Sequence, residues 1–347
     1  MIRHVFKDKR FLIGFLFIGV LLAASLLNTM LNDGEIRQKA AKYENGQIVE
    51  TAPFKPSLAF PLGTDVSGND LLHVIVEGAK YTIGISFFIA LLQITLGAVI
   101  GTLFSGYLTK TLKVTEHFLS TFSVIPITLM AYFVLINVLS MPIDGFGEPF
   151  YKRAFFETMI LVLLPLPSVI LYISKETQKI LNTEFVLASR TLGAGTLRIL
   201  FFHVLKHLVQ KLMILFIQQL NQVLIILAHL GLLKMFFGGT VIDFSPLQDP
   251  PKTLSFEWSG LIGDYFETLY IHPFIVLVPI TFFALTIVSI NLILNGLESV
   301  YEASFQKGMD GKRRKGSIRE IKKERHVHDE DFVLISRDRG DRYRVPE

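Results

Sequence analysis

Residues 184–203 read EFVLASRTLGAGTLRILFFH, a polar, glycine-interrupted, helix-forming stretch set between two long apolar runs. Asn182-Thr183-Glu184 offers a helix start, and Phe185, Ala188 and Leu192 are spaced to share one apolar face. Gly193-Ala194-Gly195 interrupts that pattern, and Thr196 can cap a second helix beginning near Leu197. The spacing therefore predicts a short helical hairpin, with Arg190 and Arg198 available for carboxylates on a partner. Periodicity leaves two readings open. The hairpin is either a handle through which a soluble partner moves the flanking helices, or an interfacial hairpin resting on lipid.

The flanking sequence decides the class. The chain has 347 residues, 51% of them hydrophobic, and carries apolar runs at 11–30, 81–108, 118–140, 154–173, 212–233 and 271–297. Each reaches the roughly 20 residues a helix needs to cross about 30 Å of hydrocarbon. Transmembrane strands are about ten residues long with alternating polarity, which these runs are not. The expectation is an all-α integral membrane protein with six transmembrane helices. The run at 11–30 follows Arg3, Lys7, Lys9 and Arg10 but is longer than a signal h-region of about 7–15 residues, so it reads as a retained first helix. The chain has no cysteine, which excludes disulfides and thiolate metal sites.

With six crossings the N-terminus, the 109–117 loop, the 174–211 loop and the tail from 298 share one side, and they hold 25 of the 34 Lys and Arg residues. The positive-inside bias puts both termini in the cytoplasm. The opposite 234–270 loop carries Asp243, Asp249, Glu257, Asp264 and Glu267, as an external face can. The organisation that follows is a cytoplasmic N-terminus and first helix over 1–31, and an extracellular loop over 32–80. A five-helix core then covers 81–297, with its inner loop at 174–211, and a charged tail fills 298–347. In the first outer loop, Pro53, Pro56 and Pro61 favour extended chain and Gly63 a turn. Ser67-Gly68-Asn69-Asp70 has capping-box spacing ahead of Leu71, Leu72, Ile75 and Val76, which predicts a short amphipathic helix at the outer surface; an ordinary structured loop is the other reading. The tail, with Lys312-Arg313-Arg314-Lys315, reads as disordered or loosely helical. It is either solvated or in contact with anionic lipid.

Inside the fifth crossing, Gln218, Gln222 and His229 lie near one helical face, beside Gln219 and Asn221. Polar groups in hydrocarbon require partners or water, so this stripe should face the protein interior. It either lines a pathway with neutral hydrogen-bonding groups or ties helices together. A lone histidine among apolar neighbours is more often a packing residue than a metal ligand. Pro126, Pro165 and Pro167 each remove a backbone bond and favour kinks; Pro165 and Pro167 sit above the inner loop, where a hinge would act on it.

The 184–203 segment resembles the cytoplasmic loop of permease subunits in bacterial ATP-binding-cassette importers. More narrowly, the chain resembles the second permease of the dipeptide/oligopeptide/nickel group. Pro61-Leu62-Gly63-Thr64-Asp65 with Gly68-Asn69-Asp70, Gly78-Ala79, Trp258-Ser259-Gly260, and Asn291 with Gly296-Leu297 follow that group's order over roughly residues 60–297. The resemblance implies a type I importer permease in the bacterial inner membrane that works without enzymatic chemistry of its own. It would take short peptides or, alternatively, nickel, a metal chelate or another small solute. Implied partners are a second homologous permease, two cytoplasmic ATPases that bind ATP and magnesium, an extracellular substrate-binding lipoprotein and membrane lipid, but no nucleic acid. Consistently, the chain has no GxxxxGK[ST] phosphate loop. The implied ATPase-coupling residues are Glu184, Ala188, Ser189, Arg190, Gly193, Ala194, Gly195 and Arg198, while Gln218, Gln222 and His229 are the candidate pathway residues by their shared face on the fifth crossing.

Several positions depart from the pattern. Leu187-Ala188-Ser189 stands where Glu-Ala-Ala is usual, Lys206 replaces a proline, Glu298 follows Leu297, and the outer insertion at 246–251 is long. A scaffold or sensor that keeps the fold is therefore a rival. So is a secondary transporter, against which stands the lack of an obvious membrane-embedded carboxylate.

Overall fold

A computed structural model describes residues 5–44, 47–107, 125–242 and 251–334, with side chains described up to residue 303. Helix α1 (Lys9–Asn32) starts where the Asp8 carboxylate accepts the N–H groups of Arg10 and Phe11 at 2.8 and 3.3 Å, and it ends at Asp33 and Gly34, both with positive φ. A hairpin of β1 (Ala41–Glu44) and β2 (Gln47–Thr51) follows, antiparallel with Ala41 opposite Thr51. Behind it Phe54 and Phe60 are buried and stacked 5.7 Å apart. The outer loop thus builds a small core of its own.

Helix α2 (Leu71–Tyr107) begins where the Asp70 side chain accepts the N–H of Leu72 at 3.0 Å. It runs unbroken into the second crossing, so the separate amphipathic surface helix expected before residue 81 does not exist. The reason is packing. Leu71, Val74, Ile75 and Ala79 have no exposed surface and join Trp258 and Leu261 in the largest apolar cluster, so this first stretch is core rather than surface.

Among the described residues, five helical spans are long and apolar enough to cross a membrane: Lys9–Asn32, Leu71–Gly106, Phe150–Leu181, Thr196–Leu232 and Pro273–Ala303. The predicted third crossing at 118–140 is represented by α3 (Ile127–Leu139). Its 13 residues would reach only about 20 Å, and 118–124 lie outside the described residues, as does the 109–117 loop. Pro126 stands at the N-cap of α3, where it starts the helix instead of kinking it. The fourth crossing is two helices, α4 (Phe150–Leu163) and α5 (Leu166–Leu181), broken at Leu164-Pro165.

The hairpin helices are α6 (Glu184–Thr191) and α7 (Thr196–Ile199). A π turn (Leu200–Val204) leads from α7 into α8 (Leu205–Leu232). Short strands β3 (Thr240–Val241) and β4 (Lys252–Thr253) pair before α9 (Trp258–Tyr265). Residues 243–250, which hold most of the long outer insertion, are outside the description. Helix α10 (Pro273–Leu334) continues well past residue 297. The chain after the last crossing is therefore helical as far as 334, which suits its Lys, Arg and Glu content; residues 335–347 and the side chains of the basic clusters are outside the description.

Helix α1 packs on α2 and α10, α2 on α5 and α8, and α8 on α9 and α10. Small residues set the closest approaches. A Cβ on Gly14 would stand 2.2 Å from the carbonyl oxygen of Ser289, and one on Gly101 would stand 2.9 Å from that of Ile170. Gly97 and Gly101, one turn apart on α2, let α5 come close enough for Ser174 Oγ to donate to the Gly101 carbonyl at 2.9 Å.

Candidate functional site

The hairpin closes as a Schellman turn. Gly193 takes φ +86, its N–H donates to the Arg190 carbonyl at 2.9 Å, and the Ala194 N–H reaches the Ser189 carbonyl at 3.1 Å. Thr183 is the N-cap of α6 without a side-chain capping bond, since its hydroxyl donates backwards to the Ile180 carbonyl at 2.6 Å. Gly195, not Thr196, is the N-cap of α7.

The face expected to hold the hairpin down is not the one that does. Val186 is the buried residue of α6, clustered with Leu181, Ile199, Leu200 and Val204. Phe185 is half-exposed and packs on the rings of His203 and His207, 6.3 and 5.2 Å away, while Ala188 and Leu192 face outward. Eight residues give α6 barely two turns, and the bundle meets only the side that carries Val186. The outer side presents Leu187, Leu192 and Leu197, with Leu192 88% exposed. Glu184, Arg190, Gly193, Gly195 and Arg198 are exposed around them, and Ser189 and Ala194 are partly covered.

Below the hairpin, the buried Glu176 carboxylate on α5 takes Lys179 on one oxygen at 2.5 Å and Lys211 of α8 on the other. The path from α7 through the π turn into α8 is one helical rod, Thr196–Leu232. Further along that rod, Gln218, Asn221, Gln222, Ile225 and His229 line an open cavity of about 610 Å³. Thr128 of α3 and Asn291 of α10 complete its polar lining. Asn221 Nδ2 donates to Asn291 Oδ1 at 2.7 Å, and Thr128 Oγ1 lies 3.4 Å from His229 Nδ1. Gln219 turns away into the protein and is buried. Among the described residues no group of three or more His, Cys, Asp or Glu is placed to hold a metal ion.

The scattered motifs converge at the other end of the bundle. The Trp258 indole N–H donates to the Ile75 carbonyl at 2.9 Å, and the Trp258 backbone N–H to Thr82 at 2.8 Å. A Cβ on Gly78 would lie 2.3 Å from the Phe256 carbonyl oxygen, and one on Gly231 would lie 2.1 Å from that of Ser259. Asp65 accepts the side-chain N–H of Asn69 at 2.9 Å and the Tyr265 hydroxyl at 3.1 Å. Burial raises the Tyr265 hydroxyl well above its usual range, and Asp65 and Asp264 add to this. Burial also raises Asp264, to about 6. Glu257 caps α9 by accepting the N–H groups of Ser259 and Gly260 at 2.8 and 2.6 Å, yet burial still raises it.

The structure contradicts the expectation that no carboxylate is embedded in the helices. Glu157 on α4 is fully buried, accepting the Gly238 N–H at 2.9 Å on one oxygen, with no partner for the other among the described residues. Sequence reading missed it because Glu157 sits just inside the start of the 154–173 run, close to Lys152 and Arg153, where a single carboxylate blends with the polar residues that precede the run. Arg153 is also buried, donating to the Gly238 carbonyl at 2.8 Å. Together the two side chains pin the Gly238-Gly239 turn, a structural task that leaves the Glu157 carboxyl away from the cavity lining.

Residues 93–307 match the family described as binding-protein-dependent transport system inner membrane component. The chain belongs to that family. It is thus a permease of the type I importer fold and an inner membrane component of a transport system served by a binding protein. Its relatives include the peptide transport system permease protein SapC of Escherichia coli O6:H1, 28% identical over 240 residues, which cover 69% of this chain and 72% of that protein. The dipeptide transport system permease protein DppC of Haemophilus influenzae is 27% identical over 238 residues, covering 66% and 73%. The di/tripeptide transport system permease protein DppC of Pseudomonas aeruginosa is 25% identical over 247 residues, covering 70% and 72%. Within this permease, sequence reasoning singled out the polar stripe on α8 but not Thr128 or Asn291 as its companions. Their distance along the chain leaves no periodic signal joining them to it.

Proposed function

We propose that this permease forms half of the translocation pathway of an ATP-driven importer of short peptides and is moved through the 184–199 hairpin. A second, similar permease supplies the other half. The two permeases together bind two cytoplasmic ATPases that hold ATP and magnesium, and one of these docks on the outward face of Leu187, Leu192 and Leu197, flanked by Glu184, Arg190 and Arg198. An extracellular binding protein delivers the cargo to the opposite end. The hairpin and both termini lie in the cytoplasm, in keeping with the basic residues of those segments.

One observation carries this reading. The rod Thr196–Leu232 bears the second hairpin helix at one end and the cavity-lining stripe at the other. A displacement of the hairpin is thereby delivered to the cavity wall without a flexible joint of loop chain. Peptide cargo is supported by the relatives, which are permeases named for peptide, dipeptide and di/tripeptide transport systems, and by a lining whose polar groups are carboxamides, a hydroxyl and one imidazole. The exposed hydrophobic hairpin face also weighs against the rival scaffold, which has no use for it.

The test is Gly193→Arg in the complex purified with its partners. Arginine strains the φ +86 position and stands in the docking face, where the glycine has open space. Peptide-stimulated ATP hydrolysis and peptide uptake should both fall by at least about tenfold, as expected for a lost interface anchor worth about 1.4 kcal/mol or more. Full retention of both activities in an assembled complex rules out the hairpin as the point of drive.

A further inference from the structure

We propose that His229 is the specificity-determining residue of the cavity and holds the terminal carboxylate of a peptide cargo; this rests on the peptide-import reading above. His229 lies on the last turn of α8, close to its end at Leu232 and on the side from which cargo is delivered. It is exposed and lines the cavity, with Nδ1 3.4 Å from the Thr128 hydroxyl. A histidine that served only to pack helices would be covered. The other polar residues of the lining, Thr128, Gln218, Asn221, Gln222 and Asn291, are all neutral. His229 is therefore the one lining residue able to take a charge, and that charge is positive.

Among the described residues no carboxylate lines the cavity, so none occupies the imidazole in advance. Helix α3 carries Tyr132 as its only titratable group, and α10 carries none ahead of Glu298. The charges nearest on other elements already have partners. Lys234, just past α8, reaches Glu267 at 3.3 Å, and Lys211, further back on α8, is bound to Glu176. On α2, Glu77 is paired with Lys80. Arg153 and Glu157 of α4 are bound to the backbone of Gly238. Next to and within α9, Glu257 and Asp264 accept the N–H groups of Gly260 and Thr253.

Protonated imidazole donates from both ring nitrogens, so Nδ1 can serve Thr128 while Nε2 serves a guest. A peptide offers many neutral amides but one terminal carboxylate, which stays ionised above about pH 4. That carboxylate finds its charged complement at His229, beside apolar wall residues such as Ile225 and Ile226, where a charge-assisted hydrogen bond is strong. The rest of the cargo then extends inward. A tripeptide is about 10 Å long, close to the two turns of α8 that separate His229 from Gln222. The carboxamides thus meet the backbone while the imidazole meets the end. A cavity of about 610 Å³ falls within the roughly 300–1,000 Å³ typical of small-ligand sites.

The experiment uses the complete complex with its ATPases and binding protein, reconstituted in vesicles. It takes up trialanine and trialaninamide in competition at limiting peptide; the amide keeps the backbone and lacks the carboxylate. The preference of wild type for trialanine is divided by that of His229→Gln, so selection by the binding protein cancels. The quotient should be about fivefold or more at pH 5.5, the gap between a charged and a neutral hydrogen bond. It should fall toward one at pH 8, as imidazole loses its proton over that range. A quotient near one at pH 5.5, or one that does not change with pH, overturns the proposal. His229→Lys keeps a cation at both pH values and should show the wild-type gain at pH 8 as well. Failure of His229→Lys to exceed His229→Gln at either pH overturns it too. A wild-type complex that imports neither peptide overturns the peptide reading itself, whereas import of both with a quotient near one overturns the His229 contact alone.

Discussion

Burial holds the Asp264 carboxyl at about 6 against a usual value of 3.8, with the Thr253 N–H and Lys234 and Lys252 only partly offsetting it. A carboxyl whose folded value is raised binds its proton more tightly in the folded protein. Its contribution is therefore most favourable below about pH 4 and is lost as pH climbs through 6. The elevation corresponds to about 1–3 kcal/mol at neutral pH. Asp264→Asn keeps the acceptor for the Thr253 N–H and removes the charge. The variant should melt higher than wild type in detergent at pH 7.5, with the difference shrinking toward zero near pH 4; an equal gain at both pH values refutes the assignment. Gly231 tests the close approach of α8 to α9. A methyl group there meets the Ser259 carbonyl oxygen at 2.1 Å and has no flexible side chain to push aside. Gly231→Ala should cost about 1–3 kcal/mol and lower the melting temperature without altering its dependence on pH.

The π turn at Leu200–Val204 is the joint between the hairpin and the pathway helix. A π turn holds one residue more than the α-helical pitch requires, and Phe202 within it is 71% exposed. Deleting Phe202 should restore regular α pitch and leave α7 and α8 in phase, so the complex should still assemble. Deleting Ile214 from the regular part of α8 turns the stretch of that rod on its hairpin side by about 100°, which would pull Leu208 away from Val169 and Ile173 of α5. Recovery of intact complex by size exclusion separates the two cases. Loss of assembly in both variants, or in neither, refutes the joint.

At the scale of the whole molecule, two anchored groups of elements meet at the Leu164-Pro165 break. On one side, Arg153 and Glu157 of α4 hold the Gly238-Gly239 turn. On the other, Glu176 of α5 is bound to Lys211 of α8, so α5 follows the rod that carries the hairpin. Removing the Glu176 charge loosens that tie while leaving the docking face untouched. Glu176→Gln should lower the peptide transported per ATP by about two- to thirtyfold, the span that mutations along a coupled network produce, while ATP hydrolysis persists. Unchanged stoichiometry in the assembled complex counts against transmission through α5.

The apolar runs, the basic bias of alternate loops and the glycine-broken 184–203 stretch were enough, by themselves, to determine a mostly helical membrane protein and the place of its helical hairpin. Those are properties of contiguous chain, because bilayer thickness and helical pitch act on neighbours in sequence. The order of short motifs carried the family for a similar reason. Which face of α6 is buried, why Leu71 belongs to a long core helix, and why Glu157 tolerates the interior were decided by elements far away in the chain. Val186 is held by Ile199 and Val204, Leu71 by Trp258 and Leu261, and Glu157 by the amide of Gly238. The same holds for the cavity, whose polar wall joins Gln218, Asn221, Gln222 and His229 to Thr128 and Asn291. Burial and hydrogen-bond partnership are sums over everything within a few ångströms, and only the folded chain brings those neighbours together.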